Sequence, residues 1–272
     1  MVNRLIQGRY NIRYTCQMKK HTKSPITDKL LRQPGQSLDE EVQRILDDKI
    51  LIYLLFPSMF FLLATFEWYR WYSEMPPSPW LLTTLAIASI ILSLFKIIPL
   101  KKKLSAMRQG SEGEKAVAEM LNQFREAKMK VFHDVIGENF NLDHVLVSVR
   151  GVFLVETKTY SKPLKGKTEI EFNGKALSVN NKFIGNDIVI QVTAGSKWLS
   201  SLIEDLTAKK IVVQPVVVFP GWYVKMTNEY KSNIWMVNPK NLGSFINKKN
   251  EVLSEEDVKL ISNHLTRYIR TK

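Results

Sequence analysis

The chain has one cysteine, Cys16, and four histidines among 272 residues. A single thiol allows no intramolecular disulfide and no multi-cysteine zinc site, which fits a domain working in a reducing compartment. His21, His133, His144 and His264 are too scattered for a zinc signature. The first 36 residues contain no apolar run of signal-peptide length. They are polar and basic, with Arg4, Arg9, Arg13, Lys19, Lys20 and Lys23, and read as a flexible tail, either solvated or brushing nucleic acid or lipid headgroups. Acids are scarce beside bases, 26 against 39, a formal charge of +13. That balance favours a polyanionic partner, either nucleic acid or an anionic membrane face.

Charge is missing altogether from two runs, Ile50 to Phe66 and Trp80 to Phe95. A helix that crosses a bilayer takes about 20 mainly apolar residues, with a lower limit near 17. With aromatic flanks and snorkelling lysines, the runs are expected to be transmembrane helices at about 50–66 and 80–98. Trp68, Tyr69, Trp71, Tyr72 and Trp80 gather around the connecting loop as an interfacial belt would. The alternative is a buried helical hairpin in a soluble protein. A capping-box pattern at Ser37 and Glu40 starts an amphipathic lead-in helix, so 37–100 forms one membrane-directed unit. Arg70 is the only base in the loop between the runs, whereas Lys49 precedes the first run and Lys96, Lys101, Lys102 and Lys103 follow the second. By the positive-inside rule both termini are expected in the cytoplasm, with the lysine cluster at the anionic inner leaflet of the lipid bilayer.

Residues 101–110 read as a basic linker and 111–272 as a globular domain. Ser111-Glu112-Gly113-Glu114 opens a helix with Val117, Met120, Leu121 and Phe124 on one stripe. Strands are expected at 131–135, 165–172, 176–179, 211–219 and 234–237, and further helices after Asn186 or Asp187, at Asn238-Pro239 and at Ser254. Pro215 implies that its strand is an edge or irregular. This order implies an α/β sandwich.

At the centre lies Asn141 to Lys158, NLDHVLVSVRGVFLVETK, two apolar runs around Arg150-Gly151 that read as a β-hairpin. With a two-residue turn there, Val149 faces Val152, Val145 faces Glu156 and Asp143 faces Lys158. Side chains alternate along a strand, so Asp143, Glu156 and Lys158 share one face near the open end. Diagonal neighbours sit about 7–8 Å apart, so two carboxylates can hold one divalent ion with a lysine beside it. Unpaired buried charge is costly, and a metal ion is one reason for acids on an apolar sheet. A turn one residue longer would slip the register by one and separate Asp143 from the other two. His144 falls on the opposite face, in a structural or supporting role. The run KPLKGK at 162–167 fits a phosphate-tracking loop or a solvated one, and Trp198 fits the core.

From about Gly110 onward the chain resembles the nuclease-related domain (NERD) family of the PD-(D/E)XK nuclease superfamily. The resemblance rests on GSEGE at 110–114, NLDHVLVS at 141–148, GVFLVETK at 151–158, Gln191 in the following helix and PVVVF at 215–219. It implies a restriction-endonuclease-like fold, a mixed β-sheet flanked by helices, preceded here by the two-helix membrane hairpin. Carried over by position, it implies that Asp143 and Glu156 bind a divalent metal and that Lys158 positions or polarises the attacking water. Glu114 then joins the metal shell directly or through water, and Gln191 steadies the lysine or the substrate phosphate. The implied cofactor is Mg²⁺, with Mn²⁺ as a substitute, and Asp143, Glu156, the Thr157 carbonyl and Glu114 suit its oxygen-rich, sparse shell. Glu114 equally completes a capping box with Ser111, and Gln191 fits a polar helix edge. The family usually carries a proline before the helix glutamine and a tryptophan in the preceding strand, where Ile188 and Lys175 or Ala176 stand here. The implied substrate is nucleic acid, DNA ahead of RNA; together with the two apolar runs, the expected location is a prokaryotic inner membrane. A tethered nucleic-acid-binding module with little catalysis and a scaffold for membrane assembly are the competing expectations.

Overall fold

The computed structural model describes residues 30–75, 79–126, 128–163, 168–227 and 230–272. The basic tail with Cys16, Pro76 and Pro77 of the connecting loop, and Lys165 and Lys167 lie outside them. Helix α1 (Gln36–Ile45) passes through one π-helical turn (Leu46–Ile50) into α2 (Leu51–Tyr72), and α3 (Pro79–Glu126) runs 48 residues without interruption. Each of the two rods is long and apolar enough to cross a membrane, with only 6% and 17% of the apolar windows buried. A core helix of a soluble protein buries most of such a window, whereas here Leu62 is 66% and Phe95 72% exposed. Between α2 and α3 the buried residues are small, Ala64, Ala86, Ser89 and Ser93, so the backbones approach closely. At the connecting end Trp68 donates to Thr83 Oγ1 at 3.0 Å and packs edge-on to Trp71 and Trp80.

The basic linker expected at 101–110 is helix throughout, and the helix start expected at Ser111 does not exist. Leu104 extends an apolar seam on which Val42 and Ile45 of α1 pack, so the helix has a partner through this stretch and no reason to stop. Nor does Ser37 cap α1: its N-cap is Gly35, while Ser37 turns to Asp134 and Glu40 bonds Arg32 and Gln36. The tail expected to run to residue 36 therefore ends in fixed contacts from Arg32 onward.

The strands form two mixed sheets where a single one was expected, within the expected α/β class. In the larger, the order is β1 (Lys130–Ile136), β2 (Asn141–Ser148), β3 (Gly151–Thr157), β7 (Val213–Val218), β9 (Trp235–Val237). The first three are antiparallel and the last two join parallel. The smaller is β6 (Lys182–Gly185), β5 (Leu177–Val179), β4 (Glu169–Phe172), β8 (Tyr223–Met226). Helices α4 (Asp187–Thr207) and α6 (Glu255–Thr271) cover one face of the larger sheet over Val145, Leu154, Val192 and Leu265. The lower half of α3 and α5 (Pro239–Asn247) cover the other over Leu121, Leu146, Phe153, Val155 and Leu242. Burial on both faces explains why β2 and β3 read as near-continuous apolar runs. Pro215 sits inside the sheet, paired with Leu154 on β3, but β9 pairs only from Val216 onward, so no ladder bond is lost on that side.

Gly113 marks where α3 crosses the end of β3. A Cβ built there would lie 1.9 Å from Thr159 Oγ1. Gly113→Ala should therefore force helix and strand apart and lower stability by about 1–3 kcal/mol, read as a lower midpoint of thermal unfolding in detergent.

Candidate active site

The β2–β3 turn is Val149-Arg150, one residue earlier than Arg150-Gly151, with Ser148 paired to Gly151 and Val147 to Val152. Ser148 Oγ fixes it, accepting from Arg150 N at 3.2 Å, while Gly151 starts β3 with φ of 121°. The shift moves every partner by two residues. Val145 pairs with Leu154 instead of Glu156, and past His144–Val155 the register brings Asp143 opposite Glu156, not Lys158. Because the shift is even, Asp143, Glu156 and Lys158 keep the same side of the ladder.

Asp143 and Glu156 are nearly buried, at 6% and 3% exposure. Asp143 Oδ2 accepts the Thr157 N–H at 2.7 Å, which ties the two strands together at the site. Glu156 Oε1 accepts Lys158 Nζ at 2.8 Å and Gln191 Nε2 at 2.6 Å, and Gln191 Oε1 accepts Lys158 Nζ at 3.0 Å. Gln191 lies in the second turn of α4, so this closed triangle fastens helix to strand. Ile188, at the family's proline position, is buried one turn earlier and seats that helix start.

Glu114 reaches the same corner from α3, with Oε2 buried and without a partner. Burial, then the charges of Asp134 and Glu156, push its pKa up to about 7, against the pull of the Gly35 N–H and Lys158. Burial, then Glu156 and Glu114, raise Asp143 well above the usual carboxylate range. Burial alone would lower Lys158, but Glu156 and Asp143 outweigh it and hold the ammonium charged at neutral pH. Repelling buried acids with an unpaired oxygen fit a cation between them. Among the described residues, however, no three His, Cys, Asp or Glu side chains gather as one ligand group. What fits is the sparse arrangement that suits Mg²⁺: Asp143 and Glu156, a backbone carbonyl and waters, with Glu114 standing off.

Of the five expected residues, Glu156, Lys158 and Gln191 meet directly, Asp143 is held beside them by the Thr157 N–H and feels the charge of Glu156, and Glu114 faces them through its field and makes no hydrogen bond to them. His144 is fully buried on the far face, its Nδ1 2.9 Å from His133 Nδ1. Trp198 packs on Phe140 and Tyr268. Asp134 went unnoticed in the sequence. An acid breaking the apolar run of VFHDVI was its signal, and here it is fully buried beside Asp143 in the β1–β2 register.

These shifts predict that the metal-free protein loses stability as pH rises above about 6.5. Raised carboxylates hold protons in the folded state that the unfolded chain has already released, a contribution lost as pH rises toward and through 7. Burial depresses His144 to about 3 and His133 to about 4, so from about pH 4 to 6.5 the unfolded chain binds protons that the folded one refuses, which offsets the carboxylates and leaves stability nearly level there. Thermal unfolding in a chelator should show the alkaline loss, and Glu114→Gln should flatten it.

No curated protein and no solved structure matches the chain. A family model does: that of the nuclease-related domain, NERD, over residues 109–220. The matched segment contains Glu114, Asp143, Glu156, Lys158 and Gln191, takes in only the last turns of α3, and excludes α1, α2, α5 and α6. Residues 109–220 of this chain therefore match the nuclease-related domain over the sheet corner where the acids, lysine and glutamine stand.

Proposed function

We propose that the chain is a membrane-anchored, cytoplasm-facing nuclease that hydrolyses phosphodiester bonds of nucleic acid, DNA in preference to RNA, with Mg²⁺ or Mn²⁺. The observation that carries this reading is the pair of nearly buried carboxylates, Asp143 and Glu156, facing each other across two strands with Lys158 and Gln191 fastened to one of them. Asp143 and Glu156 would hold the metal, with the Thr157 carbonyl, and Glu114 would bind through water. Bound there, the metal supplies a hydroxide near neutral pH and neutralises charge on the phosphate. Lys158, kept protonated by Glu156, is no proton acceptor. Its ammonium stabilises the negative charge that grows on the phosphate, and Gln191 aims it. The +13 formal charge favours a polyanionic substrate.

Anchoring is supported by the exposed apolar rods, and orientation by Lys49, Lys96 and Lys101 to Lys103 against the single Arg70. The full chain, purified in detergent and incubated with Mg²⁺ or Mn²⁺, should cut single- or double-stranded DNA or RNA, and chelation should stop it. Binding without cleavage across all four substrates would favour the non-catalytic module. In cell fractions the chain should stay with membranes through high salt and alkaline washing and leave only with detergent. Release by salt would remove the anchor.

A further inference from the structure

The stretch from Arg32 to Asp39 holds two elements of the acidic corner at once. On one side is Asp134, wholly buried and in left-handed backbone at φ 50°. Its Oδ2 accepts Arg32 Nε at 2.6 Å, Ser37 N at 3.1 Å and Ser37 Oγ at 2.9 Å, while Oδ1 accepts Asn141 Nδ2 at 2.8 Å. A non-glycine residue stays in such backbone only where its surroundings over-determine it. Asp134 stands beside Asp143 in the β1–β2 register, so what holds Asp134 also holds that strand pair. On the other side is α3. Asp39 accepts Ser111 Oγ and Lys115 Nζ, each at 2.6 Å, and these two flank Glu114 in sequence. Between the two grips, Gly35 at φ 71° is pressed so closely to α3 that a Cβ there would lie 2.7 Å from Ser111 Oγ.

We propose that Arg32, Ser37 and Asp39 are positioning residues of the site: they brace α3 against the β1–β2 pair and so set where the Glu114 carboxylate stands relative to Asp143 and Glu156. The inference rests on the metal-dependent nuclease reading and extends the site to a segment ahead of the nuclease-related domain. Arg32 supplies a planar fork that meets Asp134, Ser37 and Glu40 together, a geometry lysine does not reproduce. Because α1 continues into α2, a sliding of that rod along α3 would loosen both grips and move Glu114 away.

The test uses the full chain in detergent, with Mn²⁺ binding followed by electron paramagnetic resonance and calorimetry. Asp39→Ala, Arg32→Ala and Arg32→Lys are compared with and without Glu114→Gln. Asp39 is half exposed, so Asp39→Ala should melt within a few degrees of the wild type and remains decisive if Arg32→Ala fails to fold. Asp39→Ala and Arg32→Ala should each weaken Mn²⁺ binding about tenfold or more, as losses of groups that orient a ligand do. Arg32→Lys should recover part of it, and adding Glu114→Gln should cause no further loss, since all act through Glu114. Unchanged binding in Asp39→Ala, or losses that add to that of Glu114→Gln, overturns the inference and leaves the nuclease reading untouched. A wild type that binds Mn²⁺ but cleaves nothing overturns the nuclease reading alone. A wild type that binds no Mn²⁺ overturns both.

Discussion

Asp143→Asn should slow cleavage by on the order of 10²–10³ and at the same time make the metal-free protein more stable. The two effects have one cause. Asp143 is buried beside Glu156 and Glu114, and these charges, after burial itself, push its pKa up. Replacing the carboxyl by an amide keeps the acceptor for the Thr157 N–H and removes the charge that the other acids repel. A gain of about 1 kcal/mol would raise the melting midpoint by about 2–4 °C in a protein of this size. The same change would take away a ligand oxygen carrying full negative charge, and with it the cation proposed for the site. Opposite movement of activity and stability is the signature of a site that sacrifices stability for function. Cleavage at the wild-type rate would exclude Asp143 from the reaction, whereas an inactive and less stable variant would make it a packing residue.

Phe153→Ala should have the largest effect on folding, about 3–5 kcal/mol. Phe153 is fully buried at the centre of β3, on the face opposite the acids. Its ring lies 5.7 Å from that of Trp235, which in turn packs 5.5 Å from Phe245 of α5, and Lys249 Nζ stands 5.4 Å over it. Truncation removes contacts to β9, α5 and the loop after it together and leaves a cavity in a close-packed layer. That loss is a large share of the 5–15 kcal/mol that domains of this kind typically possess. Thermal unfolding with and without Mn²⁺ separates this variant from Asp143→Asn: metal should still bind and partly restore Phe153→Ala, because Glu156 lies three residues further along on the other face.

The hairpin shows how far one-dimensional pattern carries. Alternation alone put Asp143, Glu156 and Lys158 on one side, and that grouping survived a misplaced turn because the displacement was even. The glycine of Arg150-Gly151 drew the turn toward itself, whereas its positive φ serves the first residue of β3 and Ser148 holds the turn. Long apolar runs were equally legible, and so were the capped helices at Asn238 and Ser254, where the deciding bonds are local. What escaped was set by distant partners. Ser111 looked like a helix start because its hydroxyl suits a cap, but that hydroxyl is taken by Asp39, 72 residues away in sequence. Arg32 and Asp134 are 102 residues apart and look unremarkable in sequence. The strands β6 and β8, four residues each and mostly exposed, exist only because β4 and β5 are there to pair with them.

The unbroken helix α3 also limits how substrate can reach the domain. Thirteen residues separate Lys101 from Glu114, which at 1.5 Å per residue is about 20 Å of rigid rod. A flexible linker would let the domain swing out and sample the cytoplasm in all directions. With the rods in a bilayer, as proposed, a helical arm would instead keep the corner of Glu114, Asp143 and Glu156 at one height above the lipid. Nucleic acid would then have to run alongside the membrane to be cut, turning a search through the cell's volume into one over a thin layer at its surface.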